Sequence, residues 1–192
     1  MKQAGIKADF LDGKLSTTLA AYQITKTNVT IQDQNNRDFQ IQVGEQRSRG
    51  IELDIAGEIL PGWKVIGSYA YTDAEVTEDI AISVGNKLLG VPENQASLWT
   101  TYEIQKGDFK GLGFGLGLFY VGERAAFSDN SVELPNYLRT DAAIYYRRDG
   151  FNAAINISNL FDTDYFRNSY GYTLGLERGA PLTIIGSIRW EF

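Results

Sequence analysis

The chain has 192 residues with 18 basic and 24 acidic side chains, a formal charge of −6, and neither histidine nor cysteine. The acidic balance leaves no electrostatic footprint for nucleic acid. The two missing residue types remove the usual zinc sites, Ser-His and Cys-His nucleophile pairs, disulfides and haem ligation together.

Glycine (20), tyrosine (11) and phenylalanine (10) are plentiful and proline (4) is scarce, a mixture that suits strands, tight turns and aromatic belts. No run of about 18 apolar residues exists, which excludes a membrane helix but not a barrel, where only every second residue faces lipid. The first residues, Met1-Lys2-Gln3-Ala4-Gly5, are not followed by the apolar core of about 7 to 15 residues that a signal peptide needs.

Alternation of apolar with small or polar residues predicts nine strands, at 3–10, 14–30, 40–59, 63–75, 96–105, 111–124, 137–147, 150–163 and 181–192, and no helix. A period of two places successive side chains on opposite faces. The facing of the second strand, Leu15 to Ile24, is not fixed by its sequence. In the third, Ile51, Leu53, Ile55 and Ile59 alternate with Glu52, Asp54 and Glu58. In the sixth, Leu112, Phe114, Leu116, Leu118 and Tyr120 alternate with Gly113, Gly115 and Gly117, a glycine stripe that admits close approach or lets the strand coil. The seventh sets Leu138, Ala142, Ile144 and Tyr146 against Arg139, Asp141 and Arg147; the eighth sets Phe151, Ala153, Ile155 and Ile157 against Asn152, Asn156 and Ser158. In the last, Leu182, Ile184, Gly186, Ile188, Trp190 and Phe192 share a face.

Ten-residue alternating segments with aromatics near their ends are the signature of a transmembrane β-barrel. The connections agree, with tight turns at Asp12-Gly13, Pro61-Gly62, Gln105 to Gly111 and Arg148-Asp149-Gly150, and long polar links near 31–39, 76–95, 125–136 and 164–180. Short periplasmic turns and long extracellular loops are the up-and-down barrel pattern. The expected fold is therefore all-β, an antiparallel up-and-down transmembrane barrel segment. Nine strands do not close a bacterial barrel, whose strand number is even, and open edges in lipid are costly, so the sheet is expected to be open and part of a larger wall.

Several segments in order resemble the C-terminal part of TonB-dependent outer-membrane receptors of the ferric-siderophore group. They are Gly5-Ile6-Lys7 with Phe10-Leu11-Asp12-Gly13-Lys14-Leu15; Gly44-Glu45 with Arg47-Ser48-Arg49-Gly50-Ile51-Glu52-Leu53; Leu60-Pro61-Gly62-Trp63 leading to Tyr69-Ala70-Tyr71-Thr72-Asp73-Ala74; and Val91-Pro92 with Ala96-Ser97-Leu98-Trp99-Thr100-Thr101-Tyr102. Tyr120-Val121-Gly122-Glu123-Arg124, Leu134-Pro135-Asn136-Tyr137 with Asp141, Asn159-Leu160-Phe161-Asp162 with Tyr165, and the terminal Trp190-Glu191-Phe192 follow. A local departure is Pro181-Leu182, where many relatives carry Pro-Arg.

The resemblance implies a barrel of about 22 strands, plugged by an N-terminal domain, binding a ferric siderophore outside and opened from the periplasm by TonB. Residues 1–192 would be its last nine strands, with plug, signal peptide and TonB-contacting segment absent. Outer-membrane lipid and, through Phe192, the barrel assembly machinery are the further partners implied.

A bulky polar chelate calls for ring faces and a few cationic donors above the lumen. The candidates are Arg124 and Phe127 on one long loop and Tyr165, Phe166, Arg167, Tyr170, Tyr172 and Arg178 on the last; girdle and loop packing is the alternative use of such aromatics. Glu45, Arg47, Arg49, Glu52, Asp54, Arg139 and Asp141 are expected to face the lumen and plug, or else to be solvated wall charges. No cofactor and no protein metal site is expected, iron staying inside its chelator. Asp162 with Asp164, and Asp33 with Asp38, read as turn carboxylates, since no twelve-residue calcium loop surrounds them. Asn28-Val-Thr30 and Asn156-Ile-Ser158 read as strand residues. An outer-membrane enzyme using Glu52 and Asp54, and a soluble β-sandwich binding module, are the competing readings; the first lacks an evident nucleophile or oxyanion donor.

Overall fold

A computed structural model describes residues 1–32, 38, 40–170 and 175–191. Tyr172, Asp33 and Phe192, named above, lie outside them. Nine strands form one antiparallel sheet, running β1 (Lys2–Phe10), β2 (Leu15–Gln32), β3 (Gln40–Leu60), β4 (Trp63–Glu78), β5 (Asn94–Glu103), β6 (Leu112–Val121), β9 (Tyr137–Arg148), β10 (Phe151–Ser158) and β13 (Thr183–Trp190). Each wall strand pairs with the next, β1 and β13 are the free edges, and no helix occurs among the described residues. Two small ribbons stand apart, β7 (Arg124–Ala125) with β8 (Glu133–Leu134), and β11 (Phe166–Ser169) with β12 (Leu176–Arg178). One unlayered sheet overturns the sandwich reading, which needs a second sheet packed on the first.

The registers carry the alternation across the whole sheet. One continuous row joins Ile6, Leu19, Leu53, Tyr69, Ala96, Tyr120 and Leu138. The row one residue away joins Lys7, Thr18, Asp54, Ser68, Ser97, Phe119 and Arg139. An aliphatic and aromatic face thus backs onto a mostly polar one, and the pairing fixes the second strand, with Leu15, Thr17, Leu19 and Ala21 on the aliphatic side. Ile66 and Ile185 are aliphatic exceptions on the polar face.

Turn chemistry sets the register at one end. Asp149 and Gly150 take φ of 49° and 79° in succession, the primed hairpin conformation whose twist matches that of its strands and which Asp-Gly adopts at little cost. Gly62 (φ 84°) follows Pro61 in the β3–β4 turn, and a Cβ there would meet the Glu103 carbonyl at 2.4 Å. All four short turns lie at this end, and the long connections after β4, β6 and β10 lie at the other.

Wall strands differ in height. β5 and β6 have 10 residues each, β3 has 21; about 9 to 11 tilted residues cross a bilayer, so β2, β3 and β4 continue past the hydrocarbon on the loop side. This corrects the grouping of Arg47 and Arg49 with Glu52 and Asp54. Arg49 pairs with Asp73 and Arg47 with Glu75, at the same strand parity as Ile51 and Leu53, on the aliphatic face. Counted from the turn at Leu60 they lie above the apolar band, where the outward surface is wet and charge is cheap. Glu45 sits at a register shift in the same stretch and accepts a hydrogen bond from Thr77 Oγ1 at 2.9 Å.

The glycine stripe of β6 is covered by rings from neighbouring strands. A Cβ at Gly117 would stand 2.5 Å from Trp99 Cε3, and one at Gly113 would stand 2.2 Å from Tyr145 Cζ, so bare backbone is what lets Trp99 and Tyr145 lie flat on the wall.

Among the described residues the buried hydrophobics are Ala20, Val65, Ala74, Val76, Ala125, Ala126 and Leu134. The last five lie beneath the long connections, so the compact packing of this chain is concentrated at its loop end, with Ala20 and Val65 the buried hydrophobics of the wall below.

Candidate ligand-binding face at the loop end

Three long connections fold into one block. Residues 79–93 turn back along β4, with Leu88 N donating to the Ala74 carbonyl at 2.9 Å and Val76 N to the Asn86 carbonyl at 2.8 Å. They are stitched to residues 122–136 by Gly90 N on the Ala125 carbonyl (2.9 Å) and Asn86 Nδ2 on the Ser128 carbonyl (2.9 Å). Ser169 Oγ, from residues 159–182, donates to the Ala126 carbonyl beneath them. Ala126 and Leu134 are almost fully enclosed there.

The sequence candidates separate into two groups. Arg124 is 4 % exposed. Its guanidinium donates to the carbonyls of Phe166 and Gly122 and lies over the Tyr137 ring at 5.6 Å, and burial holds its pKa below the ordinary value despite neighbouring Tyr137. Tyr165 stacks on Tyr137 with centroids 4.3 Å apart, and Gly179 is pressed against its ring, where a Cβ would come within 2.1 Å. Both residues join the connection to the wall. Arg167, Tyr170 and Arg178 stand outward instead. Tyr170 OH donates to Glu177 Oε2 at 2.8 Å and Arg167 Nη1 approaches Glu177 Oε1 at 3.5 Å, while Arg178 borders a 130 Å³ hollow with Pro135, Asp164, Tyr165 and Phe166. Phe127 is half-buried in the turn closed by Asn130 N on its carbonyl at 3.0 Å.

A second hollow, of 310 Å³, opens between the first two connections beside Lys87, Glu93, Glu123, Asn130 and Glu133. Lys87 pairs with Glu93. The Glu133 carboxyl shares a hydrogen bond with Glu123, and this bond and the neighbouring charge push its pKa up, against a smaller opposing effect of Lys87.

On the polar face Glu52 and Asp54 are exposed, whereas Arg139 and Asp141 form a bidentate pair, Nε to Oδ1 and Nη2 to Oδ2, both 3.0 Å. Arg139 also lies over Phe119 at 4.6 Å. The residue that sequence reasoning missed as a fixture is Asn159, 1 % exposed. Its backbone N–H donates to Asp141 Oδ1 at 2.8 Å, and its side chain bonds Thr163 and Ala180. Its signal was a polar residue ending the alternation of β10. Asp162 is a turn carboxylate, accepting Leu182 N at 2.8 Å. Among the described residues no group of three or more acidic side chains is arranged to hold a metal ion.

A one-sheet wall with three long connections knit together at one end is outer-membrane receptor architecture. The family model for the TonB dependent receptor-like β-barrel matches residues 2–160, and the chain belongs to that family. It is 42 % identical over 192 residues to the metal-pseudopaline receptor CntO of Pseudomonas aeruginosa, covering 99 % of this chain and 27 % of that protein. It is 35 % identical to the ferrichrome outer membrane transporter/phage receptor of Escherichia coli K12, covering 94 % and 25 %. Among solved structures, the siderophore receptor PiuA from Acinetobacter baumannii superposes with a TM-score of 0.86 at 28 % identity, over 98 % of this chain and 28 % of that one. The chain thus spans about a quarter of the length of these relatives. The family is one of receptors and transporters located in the outer membrane.

Proposed function

We propose that these nine strands and their outer connections form the C-terminal wall of an energy-coupled receptor for ferric siderophores. The observation that carries the reading is the knit loop block, which holds Arg167, Tyr170 and Arg178 outward on a rigid base above the lumen. In this reading the chelate brings its own iron and the protein supplies no metal ligand or cofactor. Charged wall residues Glu52, Asp54, Arg139 and Asp141 face a plug that, with the TonB-contacting segment, is supplied by sequence outside these 192 residues. Lipid covers the aliphatic face, and the barrel assembly machinery recognises the terminal strand through Phe192. The reading assigns no catalysis to Glu52 and Asp54: the hydroxyl beside Asp54, Ser68, is hydrogen-bonded to Ser97 at 2.8 Å, and the chain has no histidine to activate it. The relatives named for siderophores support the ligand class.

The test is uptake of ⁵⁵Fe supplied as trihydroxamate or catecholate chelate by cells with and without the gene under iron limitation. Loss of uptake of one chelate on deletion, restored by complementation, is the expected result. Unchanged uptake of every chelate, with the protein present in the outer membrane of the parent strain, overturns the reading.

A further inference from the structure

We infer that Asp141 and Asn159 form a positioning pair that fixes where the 159–182 connection stands over the lumen and so sets its affinity for ligand. The inference rests on the chelate-binding reading above. Asp141 lies on the polar face of β9, and its carboxylate has two clients. Arg139 holds it from the wall side, through Nε and Nη2, and the Asn159 amide takes Oδ1 from the loop side at 2.8 Å.

Asn159 in turn ties the two feet of the connection together. Its Nδ2 donates to the Thr163 and Ala180 carbonyls, both at 3.0 Å, and its Oδ1 accepts Thr163 N at 2.8 Å. A φ of 54° aims it, in a conformation that asparagine tolerates better than most residues. Two flanking bonds complete the knot, Leu160 N on the Thr140 carbonyl (2.7 Å) and Leu182 N on Asp162 Oδ1 (2.8 Å). Tyr165 sits inside it, its carbonyl accepting Gly179 N at 2.8 Å and its ring stacked on Tyr137.

A ligand that meets Arg167, Tyr170 and Arg178 therefore meets a loop whose ends are already closed, and does not have to supply that ordering itself. Arg139 faces inward, so a lumenal group that draws it away acts on the same carboxylate that carries the loop. Asp141 thereby links occupancy of the lumen to the placement of the outer face.

The two residues are tested in the intact receptor in the outer membrane, with ⁵⁵Fe-loaded trihydroxamate and catecholate chelates as probes, reading dissociation constant and maximal uptake separately. Asn159→Ala is expected to weaken binding of the accepted chelate about tenfold with maximal uptake per receptor within twofold of wild type. Asp141→Asn keeps an Oδ1 acceptor for the Asn159 amide, loses the charge opposite Arg139 and puts an Nδ2 donor where Oδ2 accepts from Arg139 Nη2; about threefold weaker binding is expected, and this variant decides the matter if Asn159→Ala fails to reach the membrane. Phe161→Ala, in the same turn at a side chain 73 % exposed, should bind as wild type. A merely structural role lowers receptor number and total uptake at unchanged dissociation constant. That result, or binding within twofold of wild type in both variants, overturns the positioning pair. A wild-type receptor that binds neither probe overturns the chelate reading, and the pair falls with it.

Discussion

Asn130 and Lys87 are joined as a ladder rung joins two strands: Lys87 N donates to Asn130 Oδ1 at 2.7 Å and Asn130 Nδ2 donates back to the Lys87 carbonyl at 3.0 Å. One amide side chain therefore does for residues 79–93 and 122–136 what a strand partner does within the sheet. Asn130 also holds a φ of 56°. Asn130→Gly keeps that backbone and deletes the bonds, which should cost about 1 to 2 kcal/mol locally and speed limited proteolysis of both connections while the barrel persists. Asn130→Ala adds backbone strain and should be cleaved faster still. Wild-type resistance in the glycine variant would show that the two connections hold together without this stitch.

Leu53 and Asp54 are neighbours in sequence on opposite faces of β3. Leu53→Arg should destabilise the barrel by about 2 to 4 kcal/mol, the range for a cation near mid-membrane on the lipid side, whereas Asp54→Arg should change it little. Urea-dependent unfolding in lipid vesicles, followed by the gel mobility of the folded form, compares the two. Equal losses would mean that the faces are assigned the wrong way round.

Gly117 and Gly186 predict opposite responses to added bulk. The first lies beneath Trp99 with no room for a Cβ, and the second has nothing within 4 Å of one. Gly117→Val should cost about 1 to 3 kcal/mol by overpacking and lower the temperature at which the barrel loses its folded gel mobility. Gly186→Ala should leave that temperature where it is, or raise it through the smaller freedom of the unfolded chain.

The β7–β8 ribbon should loosen as pH rises. Glu133 is bonded to Glu123, and its carboxyl is raised above the ordinary value of 4.5. Folded protein thus holds this proton more tightly than unfolded protein. The stabilisation is complete below the ordinary value and is lost as pH climbs through the raised one. Spin labels at Val84 and Val132, one on each connection, should report a broader distance distribution at neutral than at acid pH. Glu133→Gln, which keeps a donor at every pH, should flatten the response; a wild type that is insensitive to pH would remove the carboxyl pair from the account.

Nine wall strands were legible in the sequence because lipid and water enforce a strict period of two, and Ile144, Ile155 and Gly186 show how far it reaches, three strands in one row. The β7–β8 and β11–β12 ribbons escaped it because two to four residues carry no period and are held by bonds from other connections. Arg47 and Arg49 were read as inward by charge, although their parity with Ile51 and Leu53 placed them outward; strand height, which alternation does not encode, resolves the conflict. Arg124 had the composition of a ligand donor, and only the packing around it shows that its guanidinium is committed to Phe166, Gly122 and Tyr137.

The sharing of partners among the three outer connections limits how such a receptor can change its taste. A 122–136 connection transplanted from a relative would have to set its main-chain carbonyls where Ala125, Ala126 and Ser128 now offer theirs, or leave both neighbours loose. The smallest cassette that can be exchanged is the trio together, and variation arriving one residue at a time is confined to the tips.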